Sequence, residues 1–147
     1  MNKEIDVERL WRGWSATPFH DFLHMELKSW DKTTGEVQFC VPFKTAYKRS
    51  ATHPGIHGGV LASIIDVAAD FALAIHADQT GLPTIDLKID YLRSAGDEDL
   101  QVVAAVLKSG RSIGVADVEI RDTRKRLCAV GRGNYVMVGW ASRSGTK

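Results

Sequence analysis

The sequence predicts an α+β domain: one long buried helix wrapped by a curved antiparallel sheet of about six strands. Three observations carry this. Residues 58–76 are almost entirely Ala, Val, Ile, Leu and Phe, apolar on nearly every side, so that a helix there must be enclosed by protein. Four strand-like runs follow it, joined by short turns, and short turns make neighbours antiparallel. Two further strands precede it, and six strands bury one central helix only if the sheet curls around it.

Each element follows from local pattern. Glu4, Ile5, Val7, Leu10 and Trp11 space out as a short amphipathic helix over about 4–13. Phe19 to Lys28 reads as a helical turn leading into a strand. Val37, Phe39 and Val41 alternate onto one face of a strand over Gly35–Val41, which ends at Pro42. Phe43 to Gly55 lacks periodicity and is rich in Lys, Ser, Thr and His, the composition of a functional loop. After the helix, Ile85, Leu87, Ile89 and Tyr91 alternate with Asp86, Lys88 and Asp90. Leu100 to Leu107 is a continuous apolar run. Ala116, Val118 and Ile120 alternate with Asp117, Glu119 and Arg121, and Leu127 to Val138 closes the set. Turns fall at Lys108–Arg111 and Asp122–Lys125. Residues 142–147 read as a frayed tail.

The 147 residues are expected to form one domain, 1–147, with no repeat or linker. The net charge of +1 and its interspersed distribution give no basic stripe, so no nucleic acid is expected; Arg124-Lys125-Arg126 reads as a solvated turn. The central helix is about as long as a short membrane span, but Asp66 and Asp70 interrupt it, and no membrane partner is expected. Cys40 and Cys128 sit in strand patterns without metal spacing, which suggests free thiols in a reduced cytoplasm. No zinc signature, phosphate loop or dinucleotide fingerprint is present; neither metal nor cofactor is expected. A nucleophile elbow of the GxSxG kind is also missing, which argues against a Ser-His-Asp hydrolase.

The chemistry concentrates in His53-Pro54-Gly55-Ile56-His57-Gly58-Gly59 and the helix that follows. A glycine-rich helix start offers unpaired N–H groups and the positive end of the helix dipole, which suit an oxyanion. Gly59, Ser63, Asp66 and Asp70, spaced three and four apart, form a polar stripe on the apolar cylinder. A mid-helix aspartate is otherwise a capping or ion-paired group, yet no Lys or Arg occurs between Arg49 and Lys88. That leaves Asp66 as candidate base or nucleophile. Asp70 reads as a cavity-lining residue or one that meets a partner strand. His53 and His57 are either helix-start hydrogen bonders or catalysts. Seven residues separate Gly59 from Asp66, roughly 10 Å of helix. One reacting carbonyl cannot touch both, whereas two antiparallel copies of the helix place the glycine end of one beside Asp66 of the other. The spacing thus predicts a dimer with two shared sites.

His57-Gly58-Gly59 followed by Asp66, together with Asp86-Leu87-Lys88-Ile89-Asp90-Tyr91-Leu92-Arg93-Ser94-Ala95, Gly110-Arg111-Ser112 and Gly131-Arg132-Gly133, resembles the hotdog-fold acyl-CoA thioesterases of the phenylacetic-acid-degradation (PaaI-like) group. The resemblance implies the hotdog fold, a homodimer or dimer of dimers, and cofactor-free hydrolysis of an acyl-CoA thioester. It further implies that Asp66 is the catalytic carboxylate, that the Gly58 N–H polarises the carbonyl, that His57 supports that carbonyl, and that Thr84 positions water. Substrate-binding residues are then Gly59, His53, Ser63 and Asp70. Arg93 and Arg111, with Lys88 and Lys108, are contacts for the coenzyme's phosphates; each of these cations also reads as ordinary solvated charge. One departure stands out: Ala51 occupies the position where the family commonly has asparagine, and His53 is the candidate substitute. Two other readings stay open, a non-catalytic acyl-CoA-binding hotdog module and an enoyl-thioester hydratase or dehydratase.

Overall fold

The computed structural model describes residues 4–137. In chain order it contains α1 (Val7–Ser15), α2 (Pro18–Leu23), β1 (Glu26–Asp31), β2 (Glu36–Val41), a 3-10 turn (Thr45–Tyr47), α3 (Gly58–Ala77), β3 (Thr84–Tyr91), β4 (Leu100–Ser109), β5 (Ile113–Arg121) and β6 (Leu127–Val136). All six strands join one antiparallel sheet in the order β1-β2-β4-β5-β6-β3. α3 lies against β2 to β6, closest to β4, β5 and β6. This is the expected architecture, a long helix wrapped by a curved sheet.

Local chemistry moves the expected boundaries by a few residues. α1 starts at Val7 rather than near residue 4 because Asp6 is its N-cap, accepting from the Arg9 N–H at 3.0 Å. It runs past Gly13 to Ser15, because Trp14 as well as Trp11 packs on Phe71. Pro18 at the first position of α2 and His24 in the left-handed conformation after it account for the helical turn before β1. The loop over 43–55 is not wholly irregular: it holds the 3-10 turn, and Lys48 bridges Ile56 just beyond it. β4 extends to Ser109, so the following turn begins two residues later than the apolar run suggests. The turn over 122–125 closes on Asp122, a fully buried carboxylate bound by the Arg124 and Arg126 N–H groups and by the Arg126 guanidinium. β6 ends at Val136; Val138 and the expected tail over 142–147 lie outside the described residues.

α3 is long and apolar enough to cross a bilayer by length and composition. In the fold its apolar residues, from Leu61 and Ile64 to Ile75, are buried by the sheet, with Phe71 meeting Trp11, Trp14 and Phe39. The helix reaches β6 closely because Gly131 has no side chain; a Cβ there would collide with Ile65. Both sheet edges, β1 and β3, lack an outer partner strand among the described residues. β3 also carries Ile85 and Tyr91, with Leu92 just after it, each at least half exposed.

Candidate active site

The start of α3 is built by His57. Its backbone is extended, and its Nδ1 accepts the Gly59 N–H at 2.9 Å, which makes it the helix N-cap. An acceptor Nδ1 fixes the proton on Nε2, so the exposed ring presents an N–H donor outward. The two glycines thereby separate. The Gly59 N–H is consumed by the cap, while the Gly58 N–H has no acceptor among the described residues. Tyr91, at the end of β3, donates to the Gly58 carbonyl at 2.9 Å, and Ser63 donates to the Gly59 carbonyl at 2.8 Å. The result is a helix mouth with one free backbone donor and one imidazole donor beside it.

Asp66 lies two turns further along. Its Oδ1 accepts from Thr84 Oγ1 at 2.9 Å and from Tyr135 Oη at 2.8 Å. Tyr135 shares its proton with the Asp66 carbonyl, 2.9 Å away. Thr84 and Tyr135 face each other in the β3–β6 ladder, so one rung of the sheet grips one carboxylate oxygen. Asp66 Oδ2 has no partner among the described residues. Burial, then the charges of Asp66 and Asp70, push the Tyr135 hydroxyl well above the usual tyrosine range, so it remains a donor. A carboxylate held this way has one oxygen fixed and one available for a proton or a carbonyl carbon.

Asp70 follows one turn later. Its Oδ1 is shielded from solvent without a hydrogen-bond partner. Burial, with the Asp66 charge adding to it, pushes its carboxyl up to about 8, so it is uncharged at neutral pH.

The fold therefore assembles the expected residues into two groups. His57, Gly58, Gly59 and Ser63 form one, Asp66, Thr84 and Asp70 the other. Gly58 and Asp66 are separated by about 12 Å of helix rise, so the Gly58 N–H and Asp66 Oδ2 of one chain do not converge on one carbonyl. His53 is exposed in the loop, its Nδ1 2.9 Å from Thr52 Oγ1, beside the equally exposed Ala51. Arg93 follows β3 and Arg111 lies in the β4–β5 turn; both are exposed, and their side chains are unpaired among the described residues. Lys88 is paired with Asp90 at 2.6 Å. No group of three or more His, Cys, Asp or Glu with metal-ligand geometry occurs among the described residues.

Two residues of this arrangement escaped the sequence reading: Tyr135 and Tyr91. Both sit in strand patterns and look like packing. Tyr135 had one legible signal, a hydroxyl-bearing aromatic at an inward-facing position of β6 after two inward-facing glycines, Gly131 and Gly133. Gly133 leaves the space that the Tyr135 ring occupies; a Cβ there would collide with it.

Comparison with known proteins bears on the family and the fold. The family model described as "Thioesterase superfamily" matches residues 53–129, which span the end of the loop, α3, β3 to β5 and the start of β6. The medium/long-chain acyl-CoA thioesterase YigI of Escherichia coli strain K12 is 30% identical over 142 residues, covering 83% of this chain and 86% of YigI. The acyl-coenzyme A thioesterase PaaI of the same strain is 35% identical over 89 residues, 59% of this chain and 61% of PaaI. The solved structure of E. coli PaaI superposes with a TM-score of 0.77 at 22% identity, covering 90% of this chain and 92% of that one.

Proposed function

This chain belongs to the thioesterase superfamily, and from that premise we propose that it hydrolyses acyl-CoA thioesters to free acid and coenzyme A, at sites shared between two copies of the chain. The observation that carries the chemistry is the grip on Asp66: two hydroxyl donors on Oδ1 and a free Oδ2.

In this reading the thioester carbonyl sits at the helix mouth of one copy. The Gly58 N–H and the His57 Nε2–H point at its oxygen, and the helix dipole favours the charge that develops there. Asp66 Oδ2 of the other copy takes a proton from water as that water attacks, or attacks the carbonyl carbon itself. The tetrahedral intermediate collapses, the C–S bond breaks, and the coenzyme departs as thiolate; where Asp66 itself attacked, water then cleaves the acyl–Asp66 anhydride, releasing the acid and restoring the carboxylate. Thr84 keeps Asp66 in place and lies where it can hold the water. Arg93 and Arg111 are the proposed contacts for the coenzyme's phosphates. His53, Ser63 and Gly59 line the approach, with His53 standing in for the asparagine that Ala51 replaces. The two-copy arrangement is supported by the helix rise between Gly58 and Asp66, and by the unpaired edge of β3 with its exposed apolar residues. We place the molecule, as one domain over 1–147, in the cytoplasm, a reading supported by the free thiols of Cys40 and Cys128.

The test is release of free thiol from a panel of short, medium, long and aromatic acyl-CoAs, with wild type and Asp66→Ala. Turnover by wild type and a loss of at least about 10³-fold in the variant are expected. No release with any substrate overturns hydrolysis; tight binding without turnover makes the chain a binding module instead.

A further inference from the structure

Asp70 is left unused by the proposed reaction, yet it is built into the same helix face. It lies four residues beyond Asp66, about 6 Å along the axis. No side chain among the described residues bonds it. The Tyr135 hydroxyl of β6 is committed to Asp66, the Thr84 hydroxyl of β3 likewise, and no cation pairs with Asp70 among the described residues. Its Oδ1 is left shielded and unbonded. Buried polar oxygens normally have partners, so a shielded, unbonded oxygen one turn from Asp66 calls for a role, and a ligand group can supply the missing partner. A neutral carboxyl can both donate and accept, which suits a hydroxyl or a carbonyl oxygen and rejects a plain methylene.

We propose that Asp70 is a specificity-determining residue, selecting acyl groups that carry a hydroxyl or carbonyl oxygen about one helical turn beyond the reacting carbonyl. The proposal rests on the reading of the Asp66 site as a thioester site. One turn corresponds to roughly five bonds of an extended acyl chain. A hydrocarbon chain at that place leaves Asp70 Oδ1 dry and unpaired, whereas an oxygen-bearing chain completes its hydrogen bonding. A site built to bond a substrate hydroxyl discriminates strongly against the analogue that lacks it.

The experiment uses paired coenzyme A thioethers, which cannot be hydrolysed: an eight-carbon alkyl chain, and the same chain with a hydroxyl on the fifth or sixth carbon. Because both members share the pantetheine arm, any contact of Asp70 with its amides cancels in the comparison. Binding is measured by calorimetry for wild type, Asp70→Asn and Asp70→Leu, each checked for folding by circular dichroism. Wild type should bind a hydroxylated member at least about tenfold more tightly, and Asp70→Asn should keep most of that preference. Asp70→Leu should lose or reverse it. Equal binding of the pair by wild type, failure of both to bind, or a preference that survives Asp70→Leu overturns the proposal. Hydrolysis of the matching thioesters is measured in parallel and separates the two claims. Turnover without a hydroxyl preference refutes Asp70 selection alone. Selective thioether binding without turnover of any thioester refutes hydrolysis alone.

Discussion

One oxygen of Asp66 accepts from two hydroxyls while the other is left open, and this asymmetry sets the expectations at the scale of single residues. Tyr135→Phe removes one donor and keeps the ring that fills the space over Gly133. It should lower kcat/KM about tenfold and cost about 1 kcal/mol of stability, read from acyl-CoA kinetics and urea titration. Asp70 gives a pH signature. Its carboxyl ionises near 3.8 in the unfolded chain and at about 8 in the fold. Between those values the native state holds a proton that the unfolded state has lost. Stability from this group is therefore full below the lower value and lost as pH rises to the upper one. Asp70→Asn has no such proton, so urea midpoints across that window should fall with pH in wild type and fall less in the variant. The residues of the site were unevenly legible in the sequence. Asp66 announced itself, a carboxylate on an apolar helix with no cation nearby in sequence. Tyr135 did not, because a buried aromatic in a strand is usually packing and its second role depends on a cross-strand rung that no local pattern encodes.

At the scale of elements, the informative one is α3 and its first turn. Its apolar residues fix it inside the sheet, and its cap decides which backbone donors stay free. His57→Ala should lose the bond to the Gly59 N–H and about 1 kcal/mol of stability. His57→Asn restores a capping acceptor while removing the outward Nε2–H. Stability recovered in Asn without recovery of kcat would separate the cap from the carbonyl contact; equal recovery of both would assign His57 to the cap alone. β2 was readable because its burial alternates with the strand, α3 because its apolar run is nearly unbroken, and β3 because Leu87 and Ile89 alternate with charged neighbours. The ends of α1 and β4 were less so. Asp6 and the continued packing of Trp14 set the first, and sheet pairing carries β4 past its last apolar residue, neither of which is periodic.

For the whole molecule the question is whether two chains complete one site. Gly58→Pro deletes the free N–H at a position where proline is well tolerated, the first residue of a helix, preceded by extended backbone at His57. Gly58→Pro and Asp66→Ala should each be nearly inactive. Co-expressed in equal amounts they should regain about a quarter of wild-type activity, because half the dimers are mixed and each mixed dimer keeps one intact site. Separate sites within each chain predict no recovery, and the assay is thiol release from the purified mixture. The sequence spacing made this arrangement thinkable from Gly59 and Asp66 alone. The unpaired β3 edge that supports it is a property of sheet order, visible only once β6 is seen to lie between β5 and β3.

The clamp of Tyr135 over Gly133 has a consequence for how such a molecule can change over generations. In the proposed reaction packing and turnover are vested in the same codon, since the ring is core and its hydroxyl holds Asp66. A lineage that repacks β6, replacing Gly133 with any larger residue, evicts the ring and loosens Asp66 in one step. Drift in this part of the core is therefore visible to selection on catalysis. The exposed Ala51 in the loop before α3 packs on no such ring and carries no equivalent constraint.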